Sequence, residues 1–201
     1  MRSSLIILCC FIAGILLAYH QCVPDVFLAY DYSNYILPAM MFLVGIGIGG
    51  NIKSLYAPIK KYKIRILLIP LATIAGSIIM TLLISPLFKN IDTRETIAIG
   101  SGFGYYSLSA IFLKDLAGNE IGMMALISNM TREITALLAI PVLARYCGKL
   151  APIAAAGATS IDTTLPVIIK SCGEQFVVIS IFHGVLVDIS VPVIISILYI
   201  F

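Results

Sequence analysis

The sequence predicts an all-α polytopic membrane protein. Of its 201 residues, 60% are hydrophobic and only 11% are charged, whereas soluble domains carry about 25% charged residues. The mean hydropathy is +1.06, and the apolar residues are grouped into runs long enough to cross a bilayer. We predict about five full spans and two broken, re-entrant segments that form an inverted repeat.

Charge and cysteine content argue against several other classes. The formal net charge is +3, but the basic residues lie between apolar spans, so they indicate membrane topology and no nucleic-acid partner is predicted. The five cysteines show no C-x-x-C spacing, so the pattern is typical of neither a disulfide framework nor a zinc site. We predict no metal and no cofactor. The sequence has no nucleotide-binding loop, so any transport would be secondary.

Residues 1–95 are predicted to form three N-terminal transmembrane helices. The first span, residues 5–19, is followed by no small-residue cleavage site, so we expect an uncleaved helix and not a signal peptide. The second and third spans are residues 34–50 and 66–88. Between them, residues 53–65 contain five basic and no acidic side chains. The positive-inside rule places this loop, and with it the N-terminus, in the cytoplasm.

Residues 96–201 are predicted to form a transport core of two units, 96–149 and 150–201, within the same membrane domain. Each unit is a broken segment followed by a long helix. The breaks are indicated by clustered Gly, Ser, Thr and Pro residues, which make an intact lipid-facing helix unfavourable. The spacing repeats, because Ser101 and Ser160 are 59 residues apart and Asn129 and His183 are 54 residues apart.

The basic residues of the second half favour an inverted arrangement of these units. If residues 97–113 enter and leave the membrane on the outside, Arg145 and Lys149 fall on the cytoplasmic side and the C-terminus becomes periplasmic. Two inverted units whose broken segments meet near the midplane are a transporter architecture. The alternative is that both broken segments cross the membrane completely.

Asp162 is the central candidate for a functional site. It lies within an apolar segment, residues 150–169, among the hydroxyl residues Thr159, Ser160 and Thr163. A carboxylate at the centre of a membrane segment costs about 2.5–3.5 kcal/mol on insertion scales, so it needs compensation. We interpret Asp162 as part of a polar substrate or ion site; the alternative is a carboxylate that only caps a half-helix.

Several further polar and aromatic side chains are candidates for the same site. Arg132 suits a substrate carboxylate, or alternatively forms a structural ion pair with Asp162 or Glu133. His183 could relay protons or be a hydrogen-bonded packing residue. The remaining candidates are Asn129, at the middle of its helix, and Tyr105 and Tyr106, which could contact a cation or anchor the interface.

Four motifs together resemble the lysine exporter LysO family of bacterial membrane proteins. They are residues 101–109 (SGFGYYSLS), 131–133 (TRE), 157–167 (GATSIDTTLPV) and 183–184 (HG). The resemblance covers residues 35–201 and implies export of L-lysine and its toxic analogues across the bacterial inner membrane. It also implies a functional intramembrane aspartate at Asp162. Longer members have additional N-terminal spans with a second functional acid, and Asp188 falls where the family pattern has none.

The sequence and the resemblance together predict a non-enzymatic, secondary-active lysine exporter of the inner membrane, with a proton gradient as the expected driving force. Two alternatives are a transporter of another cationic or small organic solute and an intramembrane hydrolase built from Ser160, His183 and an aspartate. Besides lysine, protons and the lipid bilayer, the expected partner is a small separate membrane subunit that supplies the missing N-terminal spans. Homo-oligomerisation is the fallback.

Overall fold

A computed structural model describes residues 2–24, 39, 42, 46 and 66–200. Within these residues the secondary structure is helical and includes no strand, as the sequence predicts. The chain divides into two compact units, Met1–Lys53 and Ser54–Phe201. In the first unit, helix α1 (Arg2–Tyr19) contains the predicted first span. Most of the predicted second span and the basic loop at residues 53–65 lie outside the described residues.

The second unit contains seven α-helices among its described residues. They are α2 (Leu68–Ile84), α3 (Thr93–Gly100), α4 (Tyr106–Ala117), α5 (Asn119–Tyr146), α6 (Ala151–Ala156), α7 (Leu165–Cys172) and α8 (Val177–Ile200). Short 3-10 helices follow α2, follow α6 and precede α8, at Ser85–Leu87, Gly157–Ile161 and Glu174–Phe176.

Three helices in the described part of this unit are long and apolar enough to cross a membrane. With their adjoining 3-10 turns they are Leu68–Leu87, Asn119–Tyr146 and Glu174–Ile200. They match the predicted third span and the two predicted long helices to within two residues at each end. The protein is therefore an all-α polytopic membrane protein.

The short helices begin where local sequence stabilises a first turn. Asp92 caps α3 by accepting a hydrogen bond from Thr93 N at 2.8 Å, and Glu95 Oε2 accepts one from Asp92 N at 3.1 Å. This reciprocal capping box satisfies two amide groups that a helix start leaves free. Pro152 and Pro166 stand in the first turns of α6 and α7, where a proline removes no intrahelical hydrogen bond.

Both predicted broken segments are interrupted at the expected places. Residues 101–105 separate α3 from α4, and residues 157–164 separate α6 from α7; we call them the first break and the second break. Each pair of short helices packs within one of two apolar clusters. Cluster 1 comprises Ile66, Ile69, Leu137, Ile140, Ala144, Ile153, Ala156, Val167, Ile168, Cys172, Phe176 and Ile179. Cluster 2 comprises Ala98, Ile99, Phe103, Leu113, Ile121, Ala125, Ala158, Val187, Val191 and Ile195.

The long helices α5 and α8 run in opposite directions between these clusters. Ile121, near the start of α5, is in cluster 2, and Ile140, near its end, is in cluster 1. For α8 the order is reversed, with Ile179 in cluster 1 and Val191 in cluster 2. Because α4 leads into the start of α5 and α7 leads into the start of α8, the two broken segments enter from opposite ends of the unit.

Polar side chains occupy the level between the two clusters. On α5 and α8 they stand between residues of cluster 1 and residues of cluster 2 in the sequence, and hydroxyl groups of α2 hydrogen-bond to them. The members of this polar layer are Thr73, Ser77, Asn129, Arg132, Glu133, Ser160 and His183. A polar layer at mid-depth needs internal hydrogen bonds, since lipid supplies none.

Candidate functional site

The two breaks contact each other directly. Ala158 N donates a hydrogen bond to the carbonyl oxygen of Phe103 at 3.0 Å. Gly157 has φ +64°, and a Cβ atom at this position would overlap the Phe103 carbonyl. Gly104 has φ +92° and lies against Ala156 and Thr159. Glycine at both positions therefore allows the left-handed backbone, and at Gly157 it also permits the close approach.

Asn129 fastens the first break to α5. Its Oδ1 accepts a hydrogen bond from Gly104 N at 2.9 Å, and its Nδ2 donates to the Ile99 carbonyl at 2.9 Å. The same amide group donates to the Ala125 carbonyl at 3.0 Å. Asn129 is 2% exposed, and its Oδ1 is the acceptor described for Gly104 N, a buried backbone amide that needs a partner.

A pair of serines and His183 fasten the second break to α8. Ser160 Oγ donates to the Ser180 carbonyl at 3.0 Å, and Ser180 Oγ donates back to the Ser160 carbonyl at 2.7 Å. His183 Nδ1 lies 3.0 Å from Ser160 Oγ. Its Nε2 lies 3.0 Å from Thr73 Oγ1, so the histidine joins α2 to the second break.

The contacts of His183 do not assemble a hydrolytic triad. A triad requires a carboxylate on the second histidine nitrogen, and that nitrogen contacts Thr73. Ser160 is fully buried, and its hydroxyl hydrogen-bonds the Ser180 carbonyl. The arrangement of these side chains is that of a packed interhelical network.

Asp162 ends the 3-10 turn of the second break and is partly buried. Its Oδ1 accepts hydrogen bonds from Thr163 N at 2.5 Å and from Thr163 Oγ1 at 3.4 Å. The Thr163 side chain also lies close to Glu133 of α5, which is 9% exposed. Two carboxylates from different elements therefore meet at one threonine, and Asp188 and Tyr105 lie within electrostatic range of Asp162.

Arg132 faces a different side of α5 from Glu133, because adjacent residues on a helix point about 100° apart. Its Nη1 donates a hydrogen bond to Ser77 Oγ of α2 at 3.0 Å. The guanidinium carbon is 5.9 Å from the centre of the Phe103 ring. The contacts described for Arg132 thus join it to α2 and to the first break, and not to Asp162 or Glu133.

The remaining candidates have local contacts. Thr159 Oγ1 donates to the Ala156 carbonyl at 2.8 Å, and the Thr159 carbonyl accepts from Thr164 Oγ1 at 2.9 Å. Tyr105 is partly buried beside the first break, whereas Tyr106 is 37% exposed at the start of α4. The structure therefore brings Tyr105 towards the acidic residues and leaves Tyr106 nearer the surface.

Three residues of α2 belong to this region although the sequence analysis did not single them out. Thr73, Ser77 and Thr81 are spaced by four residues; Thr73 contacts α6 and α8, Ser77 contacts α5, and Thr81 lies against Gly100 of α3. A hydroxyl every fourth residue in an apolar helix marks one face, so this periodicity was a usable signal. Ser180 carried no comparable signal.

Comparison with known proteins places the chain in a family. The model of the lysine exporter LysO family matches residues 8–199. The chain is 33% identical over 168 residues to Lysine exporter LysO of Escherichia coli, which covers 84% of this chain and 55% of that protein. It is 32% identical over 160 residues to a Haemophilus influenzae protein provisionally named a lysine exporter, covering 79% of each. No solved structure matches.

This chain spans about half the length of the Escherichia coli relative. The resemblance motifs occupy both breaks and the helices that fasten them, so the similarity includes the structural centre of the second unit. Because the family model covers residues 8–199, the chain belongs to the lysine exporter LysO family.

Proposed function

We propose that this protein exports L-lysine and lysine analogues across the bacterial inner membrane by secondary-active transport. Family membership supports lysine as the substrate, since both relatives carry lysine exporter in their names. The three long apolar helices support a membrane location. Their polar layer supports transport, because buried polar groups at membrane depth are costly and typically line a substrate or ion pathway.

The substrate ammonium groups bind near Asp162 and Glu133. The observation that carries this proposal is that both carboxylates, one from the second break and one from α5, lie close to Thr163. Two acids in one partly buried place favour a cation, because each repels the other when both are ionised. Tyr105 stands beside them with an aromatic face suited to a cation.

Proton coupling follows from competition at the same carboxylates. A cation stabilises their ionised form, whereas protonation removes the charge when the cation has left. Substrate and proton therefore occupy the site in turn, as an antiporter requires. Asn129, Ser160, Thr159, Thr163 and His183 hold the two breaks in position around this exchange.

The proposed transport core consists of units 96–149 and 150–201 in inverted orientation, with the N-terminus cytoplasmic and the C-terminus periplasmic. The opposite directions of α5 and α8 support the inversion. A dibasic substrate favours more than one acid for neutralisation. We expect a small separate membrane protein to complete the transporter, with self-association as the fallback.

Efflux from proteoliposomes tests the proposal. Vesicles containing the purified protein are loaded with labelled lysine, and efflux is followed with and without an imposed pH gradient. We expect lysine release that accelerates when external protons are in excess. Absence of release, both for the protein alone and after co-expression with its co-purifying membrane partner, contradicts lysine export; release insensitive to the gradient contradicts proton coupling alone.

A transporter for another cationic solute is the second candidate, because carboxylates bind ammonium groups generally. Arginine and ornithine in the same vesicles separate the two. Faster efflux of either one than of lysine favours the broader function.

A further inference from the structure

A cavity lined by both apolar and polar side chains lies beside the two crossed breaks and is separate from the acidic residues. Its volume is about 510 Å³, and α2, α3, α5 and α6 contribute its walls. Volumes of about 300–1,000 Å³ are typical of sites for small ligands. Its polar lining consists of Thr73, Ser77, Thr81, Ser128, Asn129 and Arg132.

Arg132 is the charged member of this lining, and no Asp or Glu is among the described residues that line the cavity. A guanidinium has five N–H donors, and the described hydrogen bond to Ser77 uses one of them. Arg132 stands at the middle of α5, where a charge without a counter-charge is costly. An anion in the cavity would therefore stabilise the protein.

The cavity also lies next to the second break, near the proposed site for the substrate ammonium groups. Arg132 Nη2 lies 3.5 Å from the position that a Cβ of Gly157 would take, so the guanidinium touches the second break. The next residue, Glu133, faces Thr163 and Asp162. The same turn of α5 thus presents the positive charge of Arg132 to the cavity and the carboxyl group of Glu133 to the other acidic residues. An amino-acid zwitterion carries the complementary charges, a carboxylate and an ammonium group.

A second cavity of about 310 Å³ adjoins the first. The two share Thr81, Gly100 and Ser128 in their linings, and the second reaches Phe88 and Ile91 beyond the end of α2. That end of α2 is predicted to be periplasmic. The two cavities therefore follow one another from the polar layer towards the end of α2.

We propose that the Arg132 cavity binds the α-carboxylate of the exported amino acid. Arg132 accepts the carboxylate bidentately, and Ser77 holds the guanidinium towards the cavity. This inference rests on the proposed function and names the chemistry of one part of its site. It predicts selectivity for amino acids over diamines of the same length.

The test compares ligands with and without a carboxylate. Equilibrium binding to the purified full chain is measured separately for lysine, lysinamide and cadaverine. Charge-assisted hydrogen bonds contribute about 1.5–3 kcal/mol, so in the wild-type protein lysine should bind at least about 10-fold more tightly than either analogue. In Arg132→Gln the lysine affinity should fall to that of lysinamide, while lysinamide binding stays the same or tightens.

Arg145→Gln is the matched control, because it removes an exposed arginine near the end of the same helix. It should keep the wild-type ratio of lysine to lysinamide affinity. Ser77→Ala retains Arg132 and should lower the ratio a few-fold, so it tests the proposal if Arg132→Gln does not fold. A wild-type ratio near one, or a ratio unchanged in Arg132→Gln or Ser77→Ala, overturns the carboxylate site. Absence of lysine binding by the wild-type protein, both alone and together with its co-purifying membrane partner, overturns the proposed function as well.

Discussion

The two breaks of the second unit are built alike but carry different chemistry. Each is fastened to the long helix that follows it by a polar side chain, Asn129 for the first break and His183 for the second. The first break has no ionisable residue except Tyr105, and its polar backbone is bound by an amide. The second break contains Asp162, whose carboxylate accepts its described hydrogen bonds from its own neighbour, Thr163.

This difference distinguishes a break whose contacts support the fold from a break that carries the proposed transport residue. A carboxylate held only by the adjacent residue is free to exchange partners. An amide with bonds to three carbonyl or amide groups cannot change partners without breaking hydrogen bonds that support the fold. We therefore expect substitutions at Asp162 to change transport and substitutions at Asn129 to change stability. Four predictions test this division.

Asp162→Asn should have the largest effect. Losing the charge partner of a buried cation costs about 2–5 kcal/mol, so lysine export should fall at least about 30-fold while the amount of protein in the membrane remains close to wild type. Asp115→Asn, on the exposed face of α4, is the control and should export normally. Labelled-lysine efflux and immunoblotting measure the two quantities. Normal export by Asp162→Asn would reduce this carboxylate to a structural cap.

Gly157→Ala tests whether the two breaks must cross so closely. An added Cβ imposes a left-handed backbone cost of about 1–2 kcal/mol, and the overlap with the Phe103 carbonyl adds about 1–3 kcal/mol. Gly148→Ala has the same backbone cost, since Gly148 has φ +88°, but its Cβ would meet open space. Thermal unfolding in detergent should show a clearly larger loss for Gly157→Ala. Equal losses would mean that the crossing is not tight.

Asn129→Ala should destabilise the protein by about 2 kcal/mol, because it leaves Gly104 N and the Ile99 carbonyl buried without this partner. Export per folded molecule should be retained to within about threefold, as expected for a supporting residue. Asn119→Ala removes an exposed asparagine from the start of α5 and serves as the control. Loss of export with no loss of stability would assign Asn129 to the transport site instead.

Ser160→Ala should have the smallest effect. Removing one hydroxyl with a carbonyl partner costs about 1 kcal/mol, and Ser180→Ala should cost a similar amount because the two serines bond reciprocally. Export should fall by no more than about threefold in either variant. Complete inactivation by Ser160→Ala with unchanged stability would revive the hydrolase alternative.

Much of this architecture could be predicted from the sequence. The three long apolar helices have bounds close to the predicted spans, and both breaks lie within the predicted Gly-, Ser- and Thr-rich stretches. Asn129 and His183, which the sequence analysis paired by their spacing, hydrogen-bond the first and the second break respectively. These features depend on local composition and periodicity, which a single sequence contains.

The partners of the charged residues could not be predicted in the same way. The sequence offered Asp162 and Glu133 as ion-pair partners for Arg132, whereas the described contacts of Arg132 are with Ser77 and Phe103. His183 contacts Thr73, 110 residues earlier in the chain. Helical periodicity shows which face a residue occupies but not which helix packs there.

The sequence by itself determined that the chain is an all-α membrane protein, where its long apolar helices lie and where the broken segments are interrupted, and it places Asp162 within an apolar segment. Only the tertiary structure decided that the breaks cross at Phe103 and Ala158, and that Arg132 and Glu133 face opposite environments. The physical reason is that burial of apolar spans follows from composition, whereas hydrogen bonds and charge contacts need atoms within a few ångströms. Those distances are set by the packing of helices that are far apart in the chain.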